Sequence, residues 1–192
     1  MNILQKLIYL SLSTTLLLAG PMSKKDPEIE SVIQTGKQSS KILLKTLGKN
    51  MKQHMKSGGP MNALDFCSNE AYDITKQVNQ SLAKNVEVKR ISSKYRSPVN
   101  KPTSDELAVL DSFANMKAQN ILLPKYLVQK VDSHTYKFYK PLTIKKQVCL
   151  KCHGNIENMP LKKEIESRYP QDKATGYKMN DLRGAVVVTI KK

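Results

Sequence analysis

From Asp26 onward, apolar and small residues recur at spacings of three and four. Ile29, Val32, Ile33, Gly36, Ser40, Leu43, Leu44, Leu47, Met51 and Met55 thereby fall on one side of a long helix. Asp26 is placed to cap that helix, Pro27 suits its first position, and Glu28 and Glu30 sit at its positive end. Ser57-Gly58-Gly59 predicts its stop. A second helix is expected from Pro60 to Ala83, with Leu64, Cys67, Ala71, Ile74, Val78 and Leu82 as the inward stripe. Val86 to Ile91 reads as a short strand, and Ser92 to Pro102 as an irregular basic loop. Thr103 and Glu106 form a capping box that opens a third helix, with Leu107, Leu110 and Phe113 inward.

Beyond that helix the period changes from helical to alternating. Tyr126 to Val131 and Thr135 to Tyr139, joined through Asp132-Ser133-His134, predict an antiparallel hairpin that runs on to Pro141-Leu142-Thr143-Ile144. A polar helix follows from Pro160 to Ser167, then a turn-rich stretch, and Ala185 to Ile190 reads as a buried final strand. Helices first and an antiparallel sheet later predict an α+β domain over residues 26–192.

Composition changes this picture little. The net charge of +16 is carried almost wholly by lysine, since Arg occurs only at positions 90, 96, 168 and 183. The lysines are spread over the whole length, as on a solvated surface, and no basic-aromatic motif points to nucleic acid. The four Arg stand out for their planar, bidentate guanidinium groups.

The N-terminus alters the picture more. Lys6 precedes an apolar run from Leu7 to Ala19, and then Gly20-Pro21 and a Lys-rich sequence. This is the plan of a bacterial-type signal peptide over residues 1–20, and the run is too short and too polar for a membrane span. Export to the periplasm is therefore expected, with no stable span after cleavage.

The chemistry is concentrated in Cys149-Leu150-Lys151-Cys152-His153-Gly154. Cys-x-x-Cys-His is the attachment signature of a c-type haem. On one turn of helix, positions i, i+3 and i+4 share a face, so both thiols can form thioethers with haem vinyl groups while the imidazole sits beneath the iron. Gly154 ends the turn. Half of a zinc site lacks its second half, because His54, His134 and Cys67 are scattered, and no βαβ pattern supports a thioredoxin-like dithiol. Cys67 falls on the inward stripe of the second helix. It is either a small buried hydrophobe or, as the odd cysteine of an exported chain, a haem ligand.

The chain resembles a family of exported single-haem c-type proteins and sensor input domains with a PAS-like fold. The residues that carry the resemblance are Asp65-Phe66-Cys67, the run from Arg90 to Pro102 with Glu106 after it, and Tyr139-Lys140-Pro141-Leu142. They continue through the Cys149–Gly154 motif, the run from Tyr169 to Tyr177, and Asp181-Leu182-Arg183-Gly184-Ala185. Ser97 stands where that family commonly has Asn, and Asn180 where it commonly has Gly. The resemblance implies a PAS-like antiparallel sheet with long N-terminal helices and one covalent haem c, held with His153 on one side and Cys67 on the other.

Other ligands opposite His153 are Met116 and Met179, whereas Met159 lies only six residues beyond His153 and close to the same side of the ring. Haem propionates call for cationic partners, for which Arg90 and Arg96 are the first candidates, with Tyr95 and Arg183 behind them; Asp181 offers Arg183 a salt bridge instead. The function expected is electron transfer or redox or gas sensing. The expected partners are a redox protein or a separate signalling protein, with a small gas as possible ligand and no nucleic acid. Peroxidase-like chemistry at an open site is the alternative, and it would need His134 as its acid–base group.

Overall fold

The computed structural model describes residues 26–192, so the predicted signal segment lies outside the described residues. Helix α1 runs Pro27–Asn69. The Asp26 carboxylate accepts the Glu28 and Ile29 amides at 2.8 and 3.4 Å, the cap read from the sequence. The stop at Ser57-Gly58-Gly59 is present as a kink rather than an end: Gly58 and Gly59 leave helical geometry (φ −151° and +68°), and Pro60 restarts the helix in a new direction. The expected second helix is divided at Glu70, where φ is −118°, and α2 spans Ala71–Ser81.

The sheet is antiparallel, in the order β1 (Val86–Ile91), β4 (Leu182–Lys191), β3 (Thr135–Thr143), β2 (Leu127–Lys130). Strand alternation gives it two apolar faces. Val88, Tyr136, Phe138, Val186, Val188 and Ile190 pack against α1 and α2. At their crossing a side chain on Gly36 would lie 2.2 Å from the Phe138 ring, so glycine there lets α1 lie flat on the sheet.

The opposite face, Ile91, Tyr139, Ala185 and Val187, packs on Leu110 and Phe113 of α3 (Ser104–Ala118). The Thr103/Glu106 capping box is formed. Leu107, however, is exposed, because Glu106 takes the inward position and the buried stripe becomes Glu106, Leu110 and Phe113. Architecture and order of elements are those of the α+β domain with long N-terminal helices that the sequence predicts.

Two short helices, α4 (Gln147–His153) and α5 (Met159–Arg168), stand at the end of the sheet where β3 finishes and β4 begins. Reciprocal bonds between Ile144 and the Asn180-Asp181 turn fix this end: Ile144 donates to the Asp181 carbonyl at 2.9 Å, and Asn180 to the Ile144 carbonyl at 2.8 Å. Asn180 has φ +69°, a left-handed conformation that asparagine tolerates, which explains how it replaces the glycine common in the resembled family. Leu142 pairs with Gly184 and Thr143 with Leu182, so Arg183 is the unpaired residue of a bulge. Gly184 has φ +152°, and a side chain on it would meet the Ile91 carbonyl at 2.1 Å.

Candidate functional site

Cys149, Cys152 and His153 lie on the single helical segment α4, on one face, as their spacing requires. The α4 helix ends at Gly154, whose conformation is extended (φ −85°) rather than left-handed; glycine is needed because a side chain would come within 2.7 Å of the Leu150 carbonyl. The His153 ring is oriented by a 2.9 Å bond between Nδ1 and the Ala174 carbonyl. A carbonyl oxygen only accepts, so Nδ1 carries the proton and Nε2 keeps its lone pair for a metal. The backbone returns the contact, since Tyr177 N donates to the His153 carbonyl at 2.9 Å, and the Tyr177 ring stands edge-on to the imidazole at 6.3 Å. Burial, reinforced by the positive charge of Arg183, Arg96 and Arg90, pushes the His153 pKa down to about 3, which keeps the ring in the neutral, ligating form.

The second wall is the last turn of α1. Leu64 packs with Leu161 and Ile165 of α5, and Cys152, Ile156 and Tyr169 join that cluster, so the end of α1 is drawn against α4 and α5. Arg168 reinforces the junction: it pairs with Asp65 at 2.5 Å and Glu164 at 2.7 Å, and donates to Ser68 Oγ at 2.8 Å. Between Asp65 and Ser68 stands Cys67. Its stripe neighbours Leu64 and Ala71 are buried, but Cys67 itself is solvent-accessible. Desolvation by surrounding protein nevertheless raises its pKa, against the lowering effect of Arg90, Arg96 and Arg183. Cys67 is thus crowded by protein yet reached by solvent, which corrects the expectation that it faces the buried core. Burial raises Cys152 too, Arg96 opposes this, and Cys67 and Cys149 act in the same direction as burial, so the thiols share one field.

The three arginines of this region are used differently. Arg96 is nearly buried; it pairs with Asp172 at 3.0 Å and donates to the Cys152 carbonyl at 2.7 Å and the Ala174 carbonyl at 3.3 Å. It thus clamps α4 to the segment that orients His153, and its fork is engaged by the protein. Arg183 donates to Ser92 Oγ at 2.8 Å and the Lys94 carbonyl at 3.2 Å and stacks over Tyr177 at 5.3 Å, with no ion pair to Asp181 among the described residues. Arg90 has neither a hydrogen-bond nor an ion-pair partner among the described residues. Burial lowers its pKa, while Cys67 and Tyr169 act to raise it, which places those three groups together. No buried side-chain nitrogen lacks a partner among the described residues, so the Arg90 nitrogens reach solvent. Tyr95 is covered by Lys173, whose Nζ lies 5.2 Å from its ring.

The remaining candidates are elsewhere. His134 sits at the hairpin turn, on the far end of β3 from α4, about 27 Å along a nine-residue strand. His54 bonds to Asn62 and stacks on Phe66. Met116 packs in the cluster on the α3 face of the sheet, and Met159 and Met179 are exposed. No three His, Cys, Asp or Glu side chains are grouped tightly enough to hold a bare metal ion among the described residues. Sequence reasoning missed Asp172, Ala174 and Arg168. Asp172 is the lone acid between Tyr169 and Asn180 and could have been matched to a scarce Arg; a backbone carbonyl such as Ala174 leaves no sequence signal.

A family model described as Tll0287-like matches residues 26–191. Among solved structures, the chain is similar to the crystal structure of the cyanobacterial heme-protein Tll0287, with a TM-score of 0.58 and 24% identity over 87% of this chain and 97% of that one. At that identity the likeness speaks to the fold. Comparison with curated proteins gives no match.

Proposed function

The chain belongs to the Tll0287-like family, and from the α4 turn and the groups around it we propose that it is a haem protein, carrying one haem c on Cys149 and Cys152. His153 is the proximal iron ligand in this reading, and Cys67 the ligand opposite. The observation that carries it is a neutral imidazole with a free Nε2 on the same helical turn as a Cys-x-x-Cys pair, with the Cys67 thiol and the unpartnered Arg90 guanidinium in the field of the same arginines. The name of the solved relative, a heme-protein, supports the cofactor class.

Haem supplies a one-electron ferric/ferrous couple, and a thiolate ligand lowers its potential by favouring the ferric state. The chain's own residues account for the remainder. Ala174 holds the Nδ1 proton and so fixes the imidazole tautomer; Arg96 locks α4 in place; Arg90 offers its free fork to a carboxylate such as a propionate. Arg96, the other propionate candidate, serves better as a clamp because its donors are engaged. The role is electron transfer or redox sensing in the periplasm, with a redox protein or a separate signalling protein as partner. A small gas would enter only where Cys67 gives way. With His134 remote, peroxidase-like chemistry has no imidazole acid–base group within the site.

Intact mass spectrometry of the protein produced in a periplasm with a c-type maturation system tests this directly. One haem mass should be added to the chain and should vanish when Cys149 and Cys152 are both changed to Ser. An unmodified mass for the parent protein would refute covalent attachment.

A further inference from the structure

The lysines are not distributed evenly once the chain is folded. Between Ser31 and Leu64 the sequence holds no Asp or Glu, and on α1 Lys41, Lys45, Lys49, Lys52 and Lys56 recur at spacings of four, four, three and four. At 100° per residue all five fall within one narrow sector, about 22 Å long, diametrically opposite the buried stripe of Val32, Gly36, Leu43 and Leu47. All five are exposed, and none makes an ion pair, side-chain hydrogen bond or cation–π contact among the described residues.

Neighbours three or four apart on a helix meet one another, so Lys41/Lys45, Lys45/Lys49, Lys49/Lys52 and Lys52/Lys56 repel and weaken the helix they occupy. A merely solvated face would be expected to mix signs, as the α3 helix does with Asp105, Asp111 and Lys117. We propose that this lysine stripe of α1 is a docking surface for an anionic lipid bilayer, with the helix lying along the membrane and the sheet held on its far side.

The chemistry of the stripe selects this partner. Lysine is a flexible point charge suited to many diffuse phosphates, where a specific protein interface would be anchored by Arg or aromatic side chains. The sector contains neither Arg nor an aromatic residue.

The test compares co-sedimentation with vesicles of phosphatidylcholine alone and of phosphatidylcholine with about a third phosphatidylglycerol, in low and in physiological salt. Wild-type protein should bind only the anionic vesicles, and less as salt rises. The Lys45→Gln/Lys49→Gln/Lys52→Gln/Lys56→Gln variant should lose about tenfold or more in partition coefficient. A control with equal charge loss elsewhere, Lys101→Gln/Lys125→Gln/Lys145→Gln/Lys162→Gln, should retain most of its binding. All three forms are purified from a periplasm as the mature chain, so the predicted signal segment contributes no lipid affinity. Thermal melts by circular dichroism verify folding, and the stripe variant should melt no lower than wild type because it loses only repulsions. Equal loss in both variants would reduce the effect to net charge and overturn the proposal. So would no loss in either, or a stripe-dependent binding to polyglutamate without binding to vesicles, which would indicate an acidic protein partner.

Discussion

Lys89 and Arg90 are adjacent on β1 and point to opposite faces of the sheet, and their surroundings differ completely. Lys89 reaches Glu106 at 2.9 Å; Glu106, 1% exposed, is also approached by Lys137 at 3.4 Å and accepts the Thr103 amide at 3.0 Å, while Lys137 pairs with Asp105 at 2.6 Å. Arg90 faces Cys67 and Tyr169 with no partner. Desolvation would raise the Glu106 pKa, but the Thr103 amide and Lys89 outweigh it and hold the carboxyl below its usual range. On the α3 face, then, burial of charge is compensated atom by atom. Arg90 instead has its guanidinium open to solvent, and a charge left without a protein partner is one that the fold does not itself use.

The largest effect expected from breaking this contrast is on the paired side. Glu106→Ala leaves Lys89 and Lys137 without their shared carboxylate and should cost about 3 kcal/mol in urea unfolding. Acidification attacks the same network. The Lys137 and Thr103 side chains hold Asp105 down to about 2, and Glu106 is lowered as well. Carboxyls depressed in the folded state give stability that is present above their unfolded pKa of about 4 and is lost as pH falls toward about 2. Urea midpoints measured across that window should decline in the parent protein and be flatter in Glu106→Ala.

Lys89→Met removes one of two cations at Glu106 and should cost about 1 kcal/mol. Arg90→Met, one residue along, should change the stability of the haem-free protein by less than about 0.5 kcal/mol, because no contact is lost. A cost for Arg90→Met equal to that for Lys89→Met would erase the distinction between the two faces.

Much of the fold was legible because its signals are local. The α1 cap, the break at Gly58-Gly59, the Thr103/Glu106 box and the hairpin around Asp132 each rest on residues within a few positions of one another. The division at Glu70 was not legible: the apolar stripe continues through it from Leu64 to Val78, and the turn there depends on how α1 and α2 wrap the sheet. Nor was the order β1-β4-β3-β2, since β1 and β4 pair across more than ninety residues of sequence. Leu107 was misplaced because a capping Glu is ordinarily solvent-facing, whereas Glu106 also serves Lys89 and Lys137 from within.

In the site, α4 could be read entirely from spacing, because one helical turn determines which side chains share a face. The exposure of Cys67 was not legible, because it continues the same stripe as the buried Leu64 and Ala71. The division of labour between Arg90 and Arg96 needed the fold, for Asp172, Cys152 and Ala174 reach Arg96 only through tertiary packing.

The proposed ligation of iron by His153 and Cys67 is tested most directly by absorption and EPR spectroscopy of the ferric and dithionite-reduced holoprotein beside its Cys67→Ala variant. A low-spin spectrum with a thiolate signature that disappears in Cys67→Ala is the predicted result. A spectrum that survives the substitution unchanged would contradict the account and leave Cys67 a wall residue without a bond to iron.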